Sequence, residues 1–308
     1  MNKLIVSSSP HIRTKESTPR IMLDVLFALL PAAVAGCVIF GWGALFVLLA
    51  TTVSAVLAEL VYNLILKKEQ TVGDFSAAVT GLILGLNMKA GAPIWQCIIG
   101  AVFAVVVVKC LFGGLGCNFA NPAATGRVFL LVCFTGTLSG GSFPTVVEHT
   151  ATSTPLVALQ SGGELPSVID MLLGLRGGAI GESCILAIAV GFLYLVIRRV
   201  IKLETPLIYV ATVFLLFLIA KGDLNYALYQ ILAGGLVFAA VFMITDYVTT
   251  PITRTGKMIF ALGCGLITFL IRFYGSYPEG VSFSILIMNI LSPYIEKWTA
   301  KKPLGGKR

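Results

Sequence analysis

Long apolar segments constrain the fold of this chain more than any other feature of its sequence. They follow one another through 308 residues with short polar connections, and a bilayer core of about 30 Å requires helices of roughly 20 apolar residues. Only 12% of the residues are charged, whereas soluble domains carry about 25%. The sequence therefore predicts an all-α polytopic membrane protein and excludes a soluble globular domain.

Ten spans are predicted, five on each side of one long polar loop. They lie at about 21–41, 43–66, 73–88, 95–111 and 119–136, and at about 182–200, 205–220, 228–247, 258–273 and 281–297. Because five is odd, the second group enters the membrane from the opposite face, which is the arrangement of two inverted five-helix repeats. The predicted parts are 1–136 (a cytoplasmic N-terminal segment and the first repeat), 137–180 (an extracytoplasmic loop) and 181–308 (the second repeat and a cytoplasmic tail).

The distribution of basic residues orients this arrangement of spans. Cytoplasmic loops carry an excess of Lys and Arg, and a cytoplasmic N-terminus places most of the basic residues on that side. These are Lys67, Lys68, Lys109, Arg198, Arg199, Lys202, Arg254, Lys257, Lys297, Lys301, Lys302, Lys307 and Arg308. Lys89, Arg176, Lys221 and Arg272 fall outside, and Arg127 lies in or near the fifth span. The net charge of +8 is thereby explained by topology, and we expect no nucleic-acid partner.

The polar loop contains a threonine in a distinctive position. Thr154 precedes Pro155 and the apolar run that starts at Leu156, which is the pattern of a helix N-cap with proline at the first helical position. The same helix end can hold a phosphate, because its unpaired N–H groups accept either kind of oxygen. The residues alone therefore leave two interpretations of Thr154: a structural cap, or a hydroxyl that carries a phosphoester.

Several acidic and basic residues fall within the predicted spans. Asp24 and Asp74 lie near the cytoplasmic ends of their spans, where snorkelling or helix capping is expected, and Asp74 and Asp246 occupy similar places in the two predicted repeats. Glu59 and Arg127 lie deeper, and a charge there usually faces a partner or a wet cavity. For both Glu59 and Arg127, a contact with an ion or a flavin and a purely structural role are equal alternatives. For Glu59 we expect the charge to matter more to ion coupling than to folding.

Small residues in the spans have a simpler interpretation. Gly81 and Gly85 have the spacing of close helix packing. Seven scattered cysteines form no CxxC pair and no cluster with histidine, so they predict neither a metal site nor a disulfide. No residue has the setting of a catalytic acid, base or nucleophile.

Five stretches together match one family. They are Ser9–Arg13, Leu115–Asn118 with Asn121–Arg127, Ile180–Ser183, Phe242–Pro251 and Tyr277–Phe283. On these stretches, which run from the N-terminus to the tenth span, the chain resembles the D subunits of Rnf complexes, the ion-translocating ferredoxin:NAD oxidoreductases. It resembles more distantly the B subunit of the Na⁺-translocating NADH:quinone reductase.

The resemblance implies a flavin on the polar loop. In the family, FMN is attached through its phosphate to a threonine by a separate flavin transferase, and Thr154 is the matching position. Ala151-Thr152-Ser153 stands where the family usually has Ser-Gly-Ala, so Thr152 and Ser153 are alternative acceptors. A non-covalent riboflavin is also implied, at residues that the sequence does not identify.

The resemblance further implies an assembly and a location. The partners would be the other Rnf subunits (A, B, C, E and G), membrane lipid and a translocated Na⁺ or H⁺. The location would be the prokaryotic cytoplasmic membrane, with the flavin loop outside and both termini in the cytoplasm. Two other functions compete with a flavin-bearing redox subunit: a cofactor-free inverted-repeat transporter or channel, and a non-catalytic assembly scaffold.

Overall fold

Apolar helices dominate the computed structural model, which describes residues 17–138, 154–163, 165–275 and 280–300. No β-strand occurs in those residues, as the all-α prediction requires. The helices are α1 (Thr18–Phe40), α2 (Trp42–Ile65), α3 (Ser76–Leu86), α4 (Ile94–Val102), α5 (Pro122–Cys133), α6 (Thr135–Leu138), α7 (Pro155–Ser161), α8 (Val168–Leu173), α9 (Ile185–Ile197), α10 (Glu204–Lys221), α11 (Leu224–Leu232), α12 (Leu236–Phe242), α13 (Arg254–Tyr274) and α14 (Val281–Thr299). A 3₁₀ turn (Val72–Asp74) precedes α3, and a π-helix (Phe103–Cys110) continues α4.

Four of these helices are long and apolar enough to cross a membrane by themselves: α1, α2, α10 and α13. The pair α11 and α12 would add a fifth span, bent by 55°. Shorter apolar helices occupy four more predicted spans: α3, α4 with its π-helix, α5 and α9. The prediction of a polytopic helical membrane protein is confirmed, while the count of ten spans and the inverted repeat stay predictions.

The eighth predicted span, about 228–247, is not one continuous helix. α11 ends at Leu232 and α12 begins at Leu236, and Gly234 between them has a φ of 69°. That left-handed conformation is accessible to glycine at little cost, so the chain can turn sharply here. The break exposes carbonyl groups at the end of α11 that need other donors.

Close packing of α3 on α2 depends on the glycines with helix-packing spacing. A Cβ added at Gly81 would lie 2.7 Å from the backbone oxygen of Thr51, closer than two such atoms can approach. An added Cβ at Gly85 would overlap the Thr51 hydroxyl and the Leu48 side chain. The sequence prediction for these two glycines is confirmed.

Each half of the chain repeats a similar set of helix contacts. In the first half, α2 packs on α3 and α4, and α5 packs on the α4/π-helix segment; in the second, α10 packs on α11, α12 and α13, and α14 packs on α13. Contacts of α1 with α9 and of α5 with α14 join the halves. This correspondence agrees with the predicted repeat.

The proposed match between two aspartates in the repeats stays a prediction. Asp74 lies just before α3, and Asp246 lies between α12 and α13. Whether the two places correspond depends on which helices of the two halves are equivalent, and that equivalence belongs to the predicted repeat.

Candidate functional site

Thr154 is the N-cap residue of α7, as its sequence context predicts. It has extended backbone angles (φ −67°, ψ 150°), and Pro155 is the first helical residue. Within the described chain, the Thr154 side chain makes no capping hydrogen bond, so its hydroxyl is not committed to the helix. The alternative acceptors Thr152 and Ser153 lie outside the described residues.

Helix α7 is anchored to the second half of the molecule. Leu156 is buried in a small apolar cluster with Met171 of α8 and Ala233, which follows α11. Gln160 donates a hydrogen bond from Nε2 to the backbone oxygen of Arg272, at 3.3 Å. These contacts hold Thr154 at a fixed place beside the α11–α12 break.

Arg272 ties this break to the end of α13. Its guanidinium donates to the backbone oxygens of Gln230 (2.6 Å) and Ala233 (3.3 Å). The last carbonyls of a helix lack partners and carry a partial negative charge, so a buried guanidinium satisfies them. The sequence placed Arg272 among the external topological charges, but the side chain is only 3% exposed and stabilises the interior.

Arg176 is a second buried guanidinium in the predicted loop. It donates to the backbone oxygens of Glu182 (2.7 Å) and Ser183 (3.3 Å). Burial lowers the pKa of the Arg176 side chain from its usual value, and the nearby Glu182 carboxylate opposes that shift. The sequence analysis placed it, like Arg272, on the external side, which stays a prediction; the structure shows that it is buried and fixes the turn that leads into α9.

The two aspartates expected at cytoplasmic ends have different roles. Asp74 accepts hydrogen bonds from the backbone N–H of Ser76 (2.8 Å) and from the Ser76 hydroxyl, so it satisfies the first N–H group of α3, although Phe75 is the N-cap residue. Asp24 neither snorkels nor caps a helix. It accepts from Tyr194 (2.8 Å) and pairs with Arg198 (3.0 Å), which links α1 to the end of α9.

Glu59 has a partner that the sequence analysis missed. Its Oε1 accepts hydrogen bonds from Lys109 Nζ and from the Thr71 hydroxyl, both at 2.7 Å, and the Glu59 and Lys109 side chains are each 1% exposed. Lys109 also donates to the Ser76 hydroxyl at 2.6 Å. The sequence analysis placed Lys109 on the cytoplasmic side, and the structure shows that its side chain is buried. Its position inside the predicted fourth span was the available signal.

A small cavity lined mostly by apolar side chains, with a few polar ones, lies beside this pair, between the two halves. Its volume is about 90 Å³, above the roughly 10–15 Å³ that one water requires and below the roughly 300–1,000 Å³ of a typical cofactor pocket. Its lining includes Ser76, Lys109 and Asp246. Asp246 accepts from the Thr249 hydroxyl at 2.9 Å.

Comparison with known proteins decides the family. The family model described as "NQR2, RnfD, RnfE family" matches residues 5–305. The chain belongs to this family. It is 44% identical over 306 residues to the D subunit of the Na⁺-translocating ferredoxin:NAD⁺ oxidoreductase complex of Acetobacterium woodii, covering 98% of this chain and 95% of that protein.

Two further members have similar lengths but different names. The D subunit of the proton-translocating ferredoxin:NAD⁺ oxidoreductase complex of Clostridium ljungdahlii is 38% identical, with 100% of this chain and 98% of that protein covered. The D subunit of the ion-translocating oxidoreductase complex of Halorhodospira halophila is 34% identical, with 100% and 97% covered. The resemblance found on the sequence motifs is confirmed.

In this member of the NQR2, RnfD, RnfE family, the candidate residues form separate sites. Thr154 lies at α7, beside the α11–α12 break. Glu59 is joined to the central cavity through Lys109. Arg127 lines neither: it is 8% exposed and borders a narrow space of about 10 Å³ with Asn87 and Met88. The expected ion or flavin role of Arg127 stays a prediction.

Proposed function

We propose that this chain is the D subunit of an ion-translocating ferredoxin:NAD oxidoreductase complex in a prokaryotic cytoplasmic membrane. The observation that carries the proposal is the match over nearly the whole chain to D subunits of such complexes. The many-helix apolar fold supports it, because ion translocation requires a membrane-spanning component. The other Rnf subunits (A, B, C, E and G) would supply the remaining electron carriers.

The translocated ion in this proposal is a monovalent cation, Na⁺ or H⁺. The names of the two relatives described first divide between these ions. The central cavity is compatible with a small ion, since it has room for water and its few polar lining residues include Ser76, Lys109 and Asp246. Charged residues inside membrane segments are expensive and mark ion pathways, which fits the buried Glu59 and Lys109.

FMN attached to Thr154 is the second part of the proposal. A phosphoester requires a free hydroxyl, and that of Thr154 is not used as a cap. The contacts of α7 with α8, Ala233 and Arg272 give the attachment point a rigid base. FMN supplies one- and two-electron chemistry, while this chain supplies the covalent attachment and the placement. A flavin transferase would make the bond, and a non-covalent riboflavin stays an expectation from the family.

Helix α7 is too short to add much to phosphate binding. It has seven residues, and the dipole effect arises from aligned peptide units. The covalent bond makes such binding unnecessary. The sequence-based argument from a helix N-terminus therefore contributes little, and the case for Thr154 depends on its hydroxyl and on the family position.

In-gel flavin fluorescence of the chain, co-expressed with a flavin transferase and denatured, tests the proposal. We expect a fluorescent band at the mass of this chain, because only a covalent flavin survives denaturation. The control is expression without the transferase, which should give a dark band. A dark band in both preparations would favour the alternative of a cofactor-free transporter, which the broken α11–α12 segment and the central cavity also fit.

A further inference from the structure

A buried ion pair borders the central cavity. The pair consists of Glu59 on α2 and Lys109 on the π-helix, and Lys109 also lines the cavity. A π-helix within an α-helix often marks a functional site. The cavity is large enough for water or a small ion but too small for a flavin ring.

The Lys109 ammonium has the surroundings of a bound cation. It contacts the Glu59 carboxylate at 2.7 Å and the Ser76 hydroxyl at 2.6 Å. Both contacts are oxygen atoms, which are the ligands that hard metal cations prefer. The ammonium thus occupies a place that suits another monovalent cation.

One oxygen of the Glu59 carboxylate has no hydrogen-bond partner among the described residues. This oxygen, Oε2, is buried, while Oε1 accepts two hydrogen bonds. A buried carboxylate oxygen without a partner is costly. A proton or a coordinated cation would satisfy it.

A second carboxylate faces the same cavity. Asp246 is also among the lining residues, and its hydrogen bonds to Thr249 and Val248 hold it in place. Lys109 has a flexible four-carbon stem and lines the cavity, so its ammonium can move away from Glu59 into that space.

We propose that Glu59 binds the translocated monovalent cation, and that the Lys109 ammonium is a resident counter-ion which this cation displaces. The inference rests on the proposed ion-translocating function. The proposed function does not say which residue binds the ion or which group competes with it, and this inference names both. Binding of the cation and displacement of Lys109 are linked, because the two positive charges compete for one carboxylate.

The test uses the whole complex in proteoliposomes, with electron transfer and ion uptake measured against NaCl at constant ionic strength in choline chloride. Lys109→Met removes the competitor and should lower the half-saturating Na⁺ concentration by about tenfold or more, because two charges this close interact strongly. Glu59→Gln should abolish the Na⁺ dependence. Asp24→Asn is the matched control, since that carboxylate is also paired but does not line the cavity, and it should change nothing.

Lys109→Arg is the second variant, for use if Lys109→Met assembles poorly, and its expected effect is the opposite one. Arginine stays charged and binds a carboxylate through two nitrogens, so the half-saturating Na⁺ concentration should rise. A proton as the ion would leave all variants insensitive to NaCl and shift the pH dependence of uptake in sodium-free buffer instead. The other charges that act on this region are Lys68, Asp74 and, in the cavity lining, Asp246, and they are unchanged in the variants.

A readout independent of turnover is the thermal midpoint of the detergent-solubilised complex. A ligand that binds the native state stabilises it, so NaCl should raise the midpoint of the parent, and do so at lower concentration for Lys109→Met. In a complex that depends on NaCl, unchanged half-saturation in both lysine variants, or full Na⁺ dependence in Glu59→Gln, would overturn the inference. In a complex that depends on protons, an unchanged pH dependence of uptake in these variants would overturn it. A parent complex that moves no ion would overturn the proposed function instead.

Discussion

At the scale of single residues, the hydroxyl of Thr154 is the group with the most specific expected chemistry. We predict that Thr154→Ala abolishes covalent flavin, because the phosphoester requires that oxygen. The fold should lose little. A helix cap is worth about 0.5–2 kcal/mol, and the Thr154 side chain makes no capping hydrogen bond. Flavin fluorescence after denaturation measures the first effect, and the yield of folded chain in detergent measures the second.

The neighbouring hydroxyls supply the controls for that prediction. Thr152→Ala and Ser153→Ala should keep the fluorescent band, at reduced intensity if the transferase recognises those side chains. A band that survives Thr154→Ala but is lost in Thr152→Ala would show that the acceptor lies two residues earlier in the chain.

The buried Glu59–Lys109 pair gives a prediction about stability. Removing one member of a buried pair leaves an isolated charge and typically costs about 3–5 kcal/mol, whereas replacing both by apolar residues is often neutral. Lys109→Met should therefore lower the free energy of unfolding by that amount. The double variant Glu59→Leu with Lys109→Met should recover most of it. Chemical denaturation in detergent measures both, and equal losses in the two variants would contradict the prediction.

At the scale of helices, the apolar pattern predicted where the segments lie but not how they are built. Hydropathy alone identifies spans such as α1 and α2, because their length and composition match the bilayer core. The break after α11 depends instead on Gly234 adopting a left-handed conformation and on Arg272 covering the freed carbonyls. Hydropathy contains no information on either, because one is a backbone angle and the other a contact between distant segments.

The buried basic residues show the same limit. Lys109, Arg176 and Arg272 were assigned only to a side of the membrane, because the positive-inside rule treats each residue by its place between spans and does not predict burial. Their burial depends on acceptors elsewhere in the fold, such as Glu59 for Lys109. The sequence alone located Glu59 and predicted that it needs a partner, but the identity of that partner required the packing of α2 against the π-helix.

Packing of α2 on α3 yields a prediction for these elements. Gly81→Ala adds a methyl group 2.7 Å from two backbone atoms, the Thr51 oxygen and the Thr52 Cα, and backbone cannot yield as a flexible side chain can. Overpacking of this kind costs about 1–3 kcal/mol, so the thermal midpoint should fall. Gly73→Ala is the control, because nothing lies within 4 Å of its added Cβ. Equal midpoints for the two variants would mean that the helices separate without cost.

At the scale of the whole molecule, the two halves meet through a few helices. α1 packs on α9, where an added Cβ at Gly191 would overlap the Ala28 carbonyl oxygen, and α5 packs on α14. The central cavity lies between the halves, which is where inverted-repeat transporters place their ion sites. The sequence predicted two groups of spans from their number and charge. It could not predict the cavity, since that depends on how side chains from both halves pack.

The orientation of the molecule in the membrane gives the last prediction. The excess of basic residues on one side predicts cytoplasmic termini and an external loop. Cys117 and Cys133 are exposed in the structure and are first replaced by serine to remove background labelling. In intact cells, a cysteine at Ser161, which is exposed on α7, should then react with a membrane-impermeant thiol reagent, because α7 belongs to the external loop. A cysteine at Lys307 should react only after the cells are opened.

The reverse labelling pattern would place Thr154 and its flavin on the cytoplasmic side. Electrons from a cytoplasmic donor could then reach the flavin without crossing the roughly 30 Å hydrocarbon layer.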